Sequence, residues 1–370
     1  MSKRLPVFLA FLSLLCLGAA QIPFEFAEPG YRFTFPKDHG AHPAFRTEWW
    51  YFTGQLTSDG REYGYELTFF RQGNDHPAVL ENPSRWAPRQ LYLAHFAVTD
   101  LHEKRFFYTD RMSREALGKA GADLDRLEVW IDSWRAEQEG ETIHLRAEEE
   151  SAGKGAPAGW KIDLALSPAK PPVVHGREGI SKKGEEPGQA SHYYSFTRLE
   201  TRGTLRANGR EEKVTGLSWM DHEFGSGILN RHQAGWDWFS IQLDDGTDYM
   251  LFQIRRENGE RDPASSGTVI TSGGGRSLSA DEFTLTPIQY WKSGATGADY
   301  PVGWKIEIPS ERLSLESRPA LREQELVTSK STRIAYWEGA SRFTGTKGGR
   351  EVAGKGYVEL TGYAAPLRMK

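Results

Sequence analysis

Cysteine is almost absent from this chain: the only one is Cys16, inside an N-terminal segment that is expected to be removed. A mature chain without cysteine holds no disulfide and offers no thiolate to a metal, so an oxidising compartment leaves no mark on it. Basic blocks are missing too. With 46 lysines and arginines against 50 acids and a formal net charge of −4, nothing rewards counterion release, and nucleic acid is not expected as a partner. The histidines include no His-x-x-x-His pair and no His-Glu-x-x-His, so no metal site is predicted; Asp38, His39 and His42 come nearest and read as a loop. No Gly-x-Ser-x-Gly elbow marks a serine nucleophile, although a Ser-His-Asp triad drawn from distant residues stays open. Gly273-Gly274-Gly275 is followed by neither Lys-Ser/Thr nor a helical pattern, so no phosphate loop and no cofactor are expected.

Apolar runs of membrane-spanning length are lacking as well. Leu5 to Leu17 falls short of the ~20 residues a bilayer helix needs. It follows Met1-Ser2-Lys3-Arg4 and precedes Gly18-Ala19-Ala20, the pattern of a secretory signal over residues 1–20 with cleavage after Ala20. Export to a bacterial periplasm or beyond is predicted. Lipidation at Cys16 would want a small residue before it, and Leu15 fits that poorly.

What the chain does have is aromatic content of 12%, with Gly 39 and Pro 19 scattered singly, a composition that suits many short strands joined by turns. Trp49 to Leu56, then Asp59-Gly60, then Glu62 to Arg71 reads as a β-hairpin. Strand-like runs recur to Val214–Met220, while 111–119 reads better as helix and 36–43 and 176–188 as loops. The second half repeats the first. Trp49–Leu56 aligns without gaps on Trp236–Leu243, Gly159-Trp160-Lys161-Ile162 on Gly303-Trp304-Lys305-Ile306, and Val214-x-Gly216-x-x-Trp219-x-Asp221 on Val352-x-Gly354-x-x-Tyr357-x-Glu359. The prediction is an all-β chain of two tandem lipocalin-like antiparallel barrels from an internal duplication, at 21–222 and 223–370.

The densest chemistry lies in Thr215 to Gly225, with Gly235-Trp236-Asp237-Trp238-Phe239 close behind. Together with Phe45 to Tyr51, Ser191 to Ser195, Tyr336 to Gly339 and Tyr357 to Tyr363, these motifs resemble the AttH/carotenoid 1,2-hydratase group of two-domain lipocalin-like proteins, whose bacterial members are often labelled predicted secreted hydrolases. The resemblance covers Pro36 to Ala364. It implies addition of water to an isolated carbon–carbon double bond, which needs an acid, a water, and aromatic faces that shelter the intermediate cation. In that family the acid belongs to a Tyr-x-Asp motif assisted by an upstream His-x-Trp. Here Asp221 matches the acid and His192 the histidine, while Tyr194 and Trp219 hold the two aromatic positions with identities exchanged.

Strand alternation puts His192, Tyr194 and Phe196 on one side of their strand and Leu217, Trp219 and Asp221 on one side of theirs, with Tyr193 and Ser195 on the opposite side. The two apolar-flanked sets are expected to share the barrel interior, where burial would raise the pKa of Asp221. The bland alternative is an ion-paired aspartate closing the domain junction. By parity Glu223 shares the face of Asp221, and Asp237 and Glu48 are runner-up acids or satisfied core carboxylates. Trp49, Trp50, Trp236 and Trp238 either pack the core or wall a ligand. The function this supports is binding of a hydrophobic or lipid-like molecule near the domain junction, with hydration of a double bond or hydrolysis by acid catalysis. Two alternatives stay open: a carrier without chemistry, and a scaffold associated with the membrane or envelope.

Overall fold

The computed structural model describes residues 24–84, 86–150, 159–227 and 229–368. The predicted signal, its cleavage point and Cys16 lie outside them. The described chain forms two curled antiparallel sheets, which are the two tandem lipocalin-like domains.

The first half supplies β1 (Thr47–Ser58), β2 (Arg61–Gly73), β3 (Gln90–Asp100), β4 (Arg105–Arg114), β5 (Ala120–Ala122) and β6 (Glu128–Ile131). It continues through β7 (Trp134–Glu139), β8 (Thr142–Glu149), β9 (Trp160–Pro168), β10 (Val173–Val174), β11 (Ser181–Lys182), β12 (Ala190–Ala207) and β13 (Arg210–Gly227). The second half supplies β14 (Gln233–Leu243), β15 (Asp248–Arg256), β16 (Ser266–Thr271), β17 (Gly274–Leu278) and β18 (Thr284–Lys292). β19 (Asp299–Ile308), β20 (Leu313–Pro319), β21 (Glu325–Val327), β22 (Ala335–Lys347) and β23 (Arg350–Thr361) complete it. The first sheet runs β4-β3-β2-β1-β13-β12-β9-β8-β7-β6-β5 and the second β17-β16-β15-β14-β23-β22-β20-β19-β18.

Turn chemistry sets the hairpins. Asp59 and Gly60 join β1 to β2 at φ 44° and 80°, and Asn208 and Gly209 join β12 to β13 at φ 52° and 73°, the left-handed pair that matches the twist of the flanking strands. The three largest apolar clusters among the described residues follow. One fills the first barrel around Trp50, Phe52, Phe96 and Trp134, one fills the second around Phe239, Trp304 and Phe343, and the third lies between the domains around Tyr51, Tyr193, Trp219, Trp238 and Tyr357. Strands of the junction are therefore buried on both faces, as the nearly unbroken burial of β1 and β14 records.

The duplication holds at two of its three anchors. Thr53 of β1 stands opposite Trp219 of β13 as Ser240 of β14 stands opposite Tyr357 of β23, so Asp221 and Glu359 occupy equivalent places. The Gly-Trp-Lys-Ile anchor does not hold: β9 pairs with β12, whereas β19 pairs with β18 and β20 and not with β22, so the two copies of that tetrapeptide sit in different strand positions. The helix expected over 111–119 is also corrected. β4 runs through Arg114 because β3 pairs with it from Leu91↔Arg114 to Asp100↔Arg105, and that ladder outweighs local propensity. The expected division at 222/223 falls inside β13, which stays in the first sheet to Gly227, and β14 opens the second at Gln233.

Candidate functional site: a carboxyl-bearing cavity at the domain junction

β13 lies between β1 and β12, and its outward face meets β14 and β23 of the second domain. On that face Asp221 stands opposite Tyr51 on one side and Ser195 on the other. Directly opposed residues of an antiparallel pair point the same way, so the side chains of Ser195 and Tyr193 converge on Asp221. The Tyr193 hydroxyl donates to Oδ2 at 2.6 Å, the Trp219 indole to Oδ1 at 2.5 Å, and the Ser195 hydroxyl also to Oδ1. Burial nevertheless dominates these three donors and, with Glu223 close by, pushes the Asp221 carboxyl up to about 7.

Asp221 opens on a cavity of about 90 Å³. Its walls include Trp49, Tyr51, Phe70, Trp236, Trp238 and Phe252, and its polar groups include Lys183, Tyr193, Glu223 and Glu359. Glu223 is committed: Lys183 Nζ lies 2.8 Å from its Oε1, and Ser191 donates to the same oxygen. Glu359, the counterpart of Asp221, accepts from the Trp236 indole at 2.8 Å, and burial with the charge of Asp221 and Glu223 raises it to about 7. Behind Tyr51, whose hydroxyl donates to Glu338 at 2.6 Å, two more buried carboxyls lie deep in the junction. Burial pushes Glu66 up to about 8, and burial with the neighbouring Glu359 and Glu66 charges holds Glu338 well above the carboxylate range.

His175 approaches Ser195 Oγ at 2.7 Å and Thr268 Oγ1 at 2.8 Å. The residues of a Ser-His-Asp triad are thus together, but in the wrong order. Asp221 takes the serine hydroxyl and leaves the histidine to a threonine, so a chain of donors runs from Thr268 through His175 and Ser195 to Asp221 when the imidazole carries its proton on Nε2. Burial, helped by Lys183, lowers His175 to about 3, which keeps it neutral.

The expected meeting of His192 and Tyr194 with Asp221 and Trp219 does not occur. Tyr194 pairs with His222 and His192 with Phe224, on the face that looks into the first barrel. There the Tyr194 hydroxyl contacts His39 Nδ1 at 2.6 Å and His222 Nδ1 at 3.1 Å, and His192 holds the Gly179 carbonyl at 2.8 Å. Trp50 is in the same interior, its indole on the His39 carbonyl at 3.1 Å and its ring stacked on His222. Asp237 is enclosed in the second barrel by Arg255 at 3.1 Å and the Tyr363 hydroxyl at 2.9 Å. Trp219 touches Asp221 from behind without walling the cavity, while Glu223, Trp236 and Trp238 do line it.

Alternation along β12 excluded Tyr193, yet it contributes a hydroxyl to the site. Lys183 carried no local signal, coming from a segment read as loop. Glu359 was legible as the repeat partner of Asp221. In the barrel interior His42, Glu48 and His222 bring their ligand atoms within 4.8 Å of one another, a spacing a metal ion could use. Their carboxylate is already engaged: both histidines contact Glu48 Oε1 at 2.8 Å, and buried Arg71 holds Oε2 at 2.8 Å. Burial alone would raise Glu48, but Arg71 and the two histidines hold it well below the usual range.

Fold and site together define a tandem lipocalin-like protein with an acid-bearing, aromatic-walled cavity between its domains. The chain belongs to the AttH-like family, whose model matches residues 26–363. A crystal structure of an AttH protein from Nitrosomonas europaea superposes with a TM-score of 0.79 at 33% identity, covering 91% of this chain and 98% of that one. Kievitone hydratase from Nectria haematococca shares the fold with a TM-score of 0.67 at 15% identity, covering 93% of this chain and 98% of its own. A curated relative from Emericella nidulans, described as a dehydratase, is 22% identical over 206 residues, spanning 54% of this chain and 57% of that protein. The chain therefore covers little more than half of the curated relative's length.

Proposed function

We propose that the junction cavity binds a compact, largely apolar molecule and adds water across a carbon–carbon double bond of it, or removes water in the reverse sense, with Asp221 as general acid. The observation that carries this reading is the Asp221 carboxyl, raised to about 7 and facing an aromatic-walled cavity. In the forward direction the carboxyl proton passes to one alkene carbon, water bonds to the other, and the surplus proton of that water returns to the carboxylate. Tyr193 and Trp219 fix the carboxyl, and Ser195 with His175 position it from behind. The names of two relatives, a hydratase and a dehydratase, agree with this chemistry. Export is part of the proposal and rests on the signal pattern of residues 1–20; protein recovered from the envelope fraction should begin at Gln21.

The test incubates the purified protein with a compact trisubstituted alkene, 2-methylbut-2-ene, in isotopically labelled water and follows labelled tertiary alcohol by mass spectrometry. Turnover should vanish in Asp221→Asn while the circular dichroism spectrum stays unchanged. An unaltered rate in that variant removes Asp221 from the mechanism.

A further inference from the structure

We infer that the junction cavity selects for positive charge, and that its ligand presents a compact, weakly hydrated organic cation to the aromatic walls. This deepens the reading above by naming the ligand's chemistry, and it rests on that reading only in taking the cavity as the ligand site.

The cavity is an aromatic box with an excess of acid. Asp221, Glu223 and Glu359 face it against the single ammonium of Lys183. Lys183 shows what the box accepts, for its Nζ sits 4.2 Å from the Phe252 ring centre and 5.2 Å from that of Tyr193, with Glu223 as counter-ion. Ring faces attract a cation most strongly where water is excluded. That ammonium satisfies one carboxylate. Among the described residues Asp221 and Glu359 take part in no ion pair, and Glu359 Oε1 accepts no hydrogen bond while its Oε2 holds Trp236. Behind the Tyr51 wall, Glu338 Oε2 and Glu66 Oε2 are buried without a partner, and burial keeps both carboxyls protonated at neutral pH. Carboxylates in such a place must hold protons or meet a cation. With Asp221 and Glu359 both near 7, a cation entering at neutral pH should displace protons from them.

Two sources give the same chemistry: a ligand with a permanent quaternary ammonium, and a carbocation raised on the ligand by the proposed protonation. The probe pair is choline and its neutral isostere 3,3-dimethylbutan-1-ol, titrated into the wild-type protein by calorimetry at pH 7 in two buffers of different ionisation enthalpy. Choline should bind at least about tenfold tighter than the alcohol, with net proton release, and Glu359→Gln should weaken choline severalfold while leaving the alcohol unchanged. Equal or tighter binding of the alcohol, absence of choline binding, or binding without proton release overturns the inference. Choline binding without turnover of the alkene points to a permanently charged ligand; turnover that choline inhibits points to a cation formed in the reaction. A protein that hydrates the alkene yet prefers the neutral probe loses this inference and keeps the proposed reaction.

Discussion

Ser195 stands directly across the strand pair from Asp221 and donates its hydroxyl to that carboxyl. One extra residue in β12 makes this so. From the Asn208-Gly209 turn upward the strands pair in simple register as far as Leu199↔Ser218, and beyond a bulge they resume at Phe196↔Met220. Without the bulge the same register would put Phe196 opposite Asp221 and turn Tyr194 and His192 toward the junction. A slip of one residue exchanges the two faces of a strand.

That arrangement separates two neighbouring tyrosines. Tyr193→Phe removes a hydroxyl from Asp221 and should lower turnover of the alkene probe by about tenfold or more, since a group positioned at the reacting centre contributes on that scale. Tyr194→Phe loses contacts with His39 and His222, so it should cost stability and leave kcat/KM nearly unchanged. Steady-state rates for both variants check this; a larger loss in Tyr194→Phe would return the site to the barrel interior.

The bulge is held from the second domain. Asp248, fully buried, accepts from Thr197 at 2.9 Å and Arg198 at 2.6 Å, and Lys170 lies 2.7 Å away. Asp248→Ala strands two cations at a buried site, and a loss of about 3–5 kcal/mol in urea unfolding is expected. A loss under about 1 kcal/mol would mean the bulge is set by β12 alone.

Gln55 and Gln242 make the same crossing in opposite directions. The Gln55 amide donates to the Ser341 and Gly356 carbonyls of the second domain at 2.9 and 2.7 Å, and Gln242 to the Thr197 and Ser218 carbonyls of the first at 2.7 and 3.0 Å. Each alanine variant should cost about 1–3 kcal/mol, because two buried carbonyls lose their donor. The denaturation midpoint measures it, and no change for both variants would leave domain docking to apolar packing.

Stability should depend on pH through the junction. Asp221 and Glu359 at about 7 and Glu66 at about 8 bind more protons folded than unfolded, so their contribution is whole at acid pH and is lost as pH rises from about 4 to 8. Glu48 and Asp38 are lowered, and their contribution is lost in the opposite direction, as pH falls below the ordinary carboxylate range. The buried histidines His39, His95 and His175, lowered to about 4, 4 and 3, work the other way up to about pH 6.5, so the acids are read above that point: the thermal midpoint should decline from about pH 6.5 to 8, less steeply in Glu66→Gln. A profile that rises across that interval would contradict the protonation of these groups.

The amino-acid sequence by itself determined most of the strands of the first half, though not the end of β4 or β11, and with them the Asp59-Gly60 turn, the duplication at β1/β14 and β13/β23, and which residues share a face within a strand. These depend on local sterics and on a side-chain period of two, both of which act along the chain. It also marked Asp221, Glu223, Trp236 and Trp238 for the junction. Which face of β12 meets which face of β13 was decided by the tertiary structure, because one bulged residue reverses the phase and its anchor, Asp248, comes from the other domain. Lys183 and the pairing of Asp221 with Glu359 across one cavity are decided there too: charges far apart in the chain meet only after both sheets have curled and docked, and burial then raises the carboxyls together.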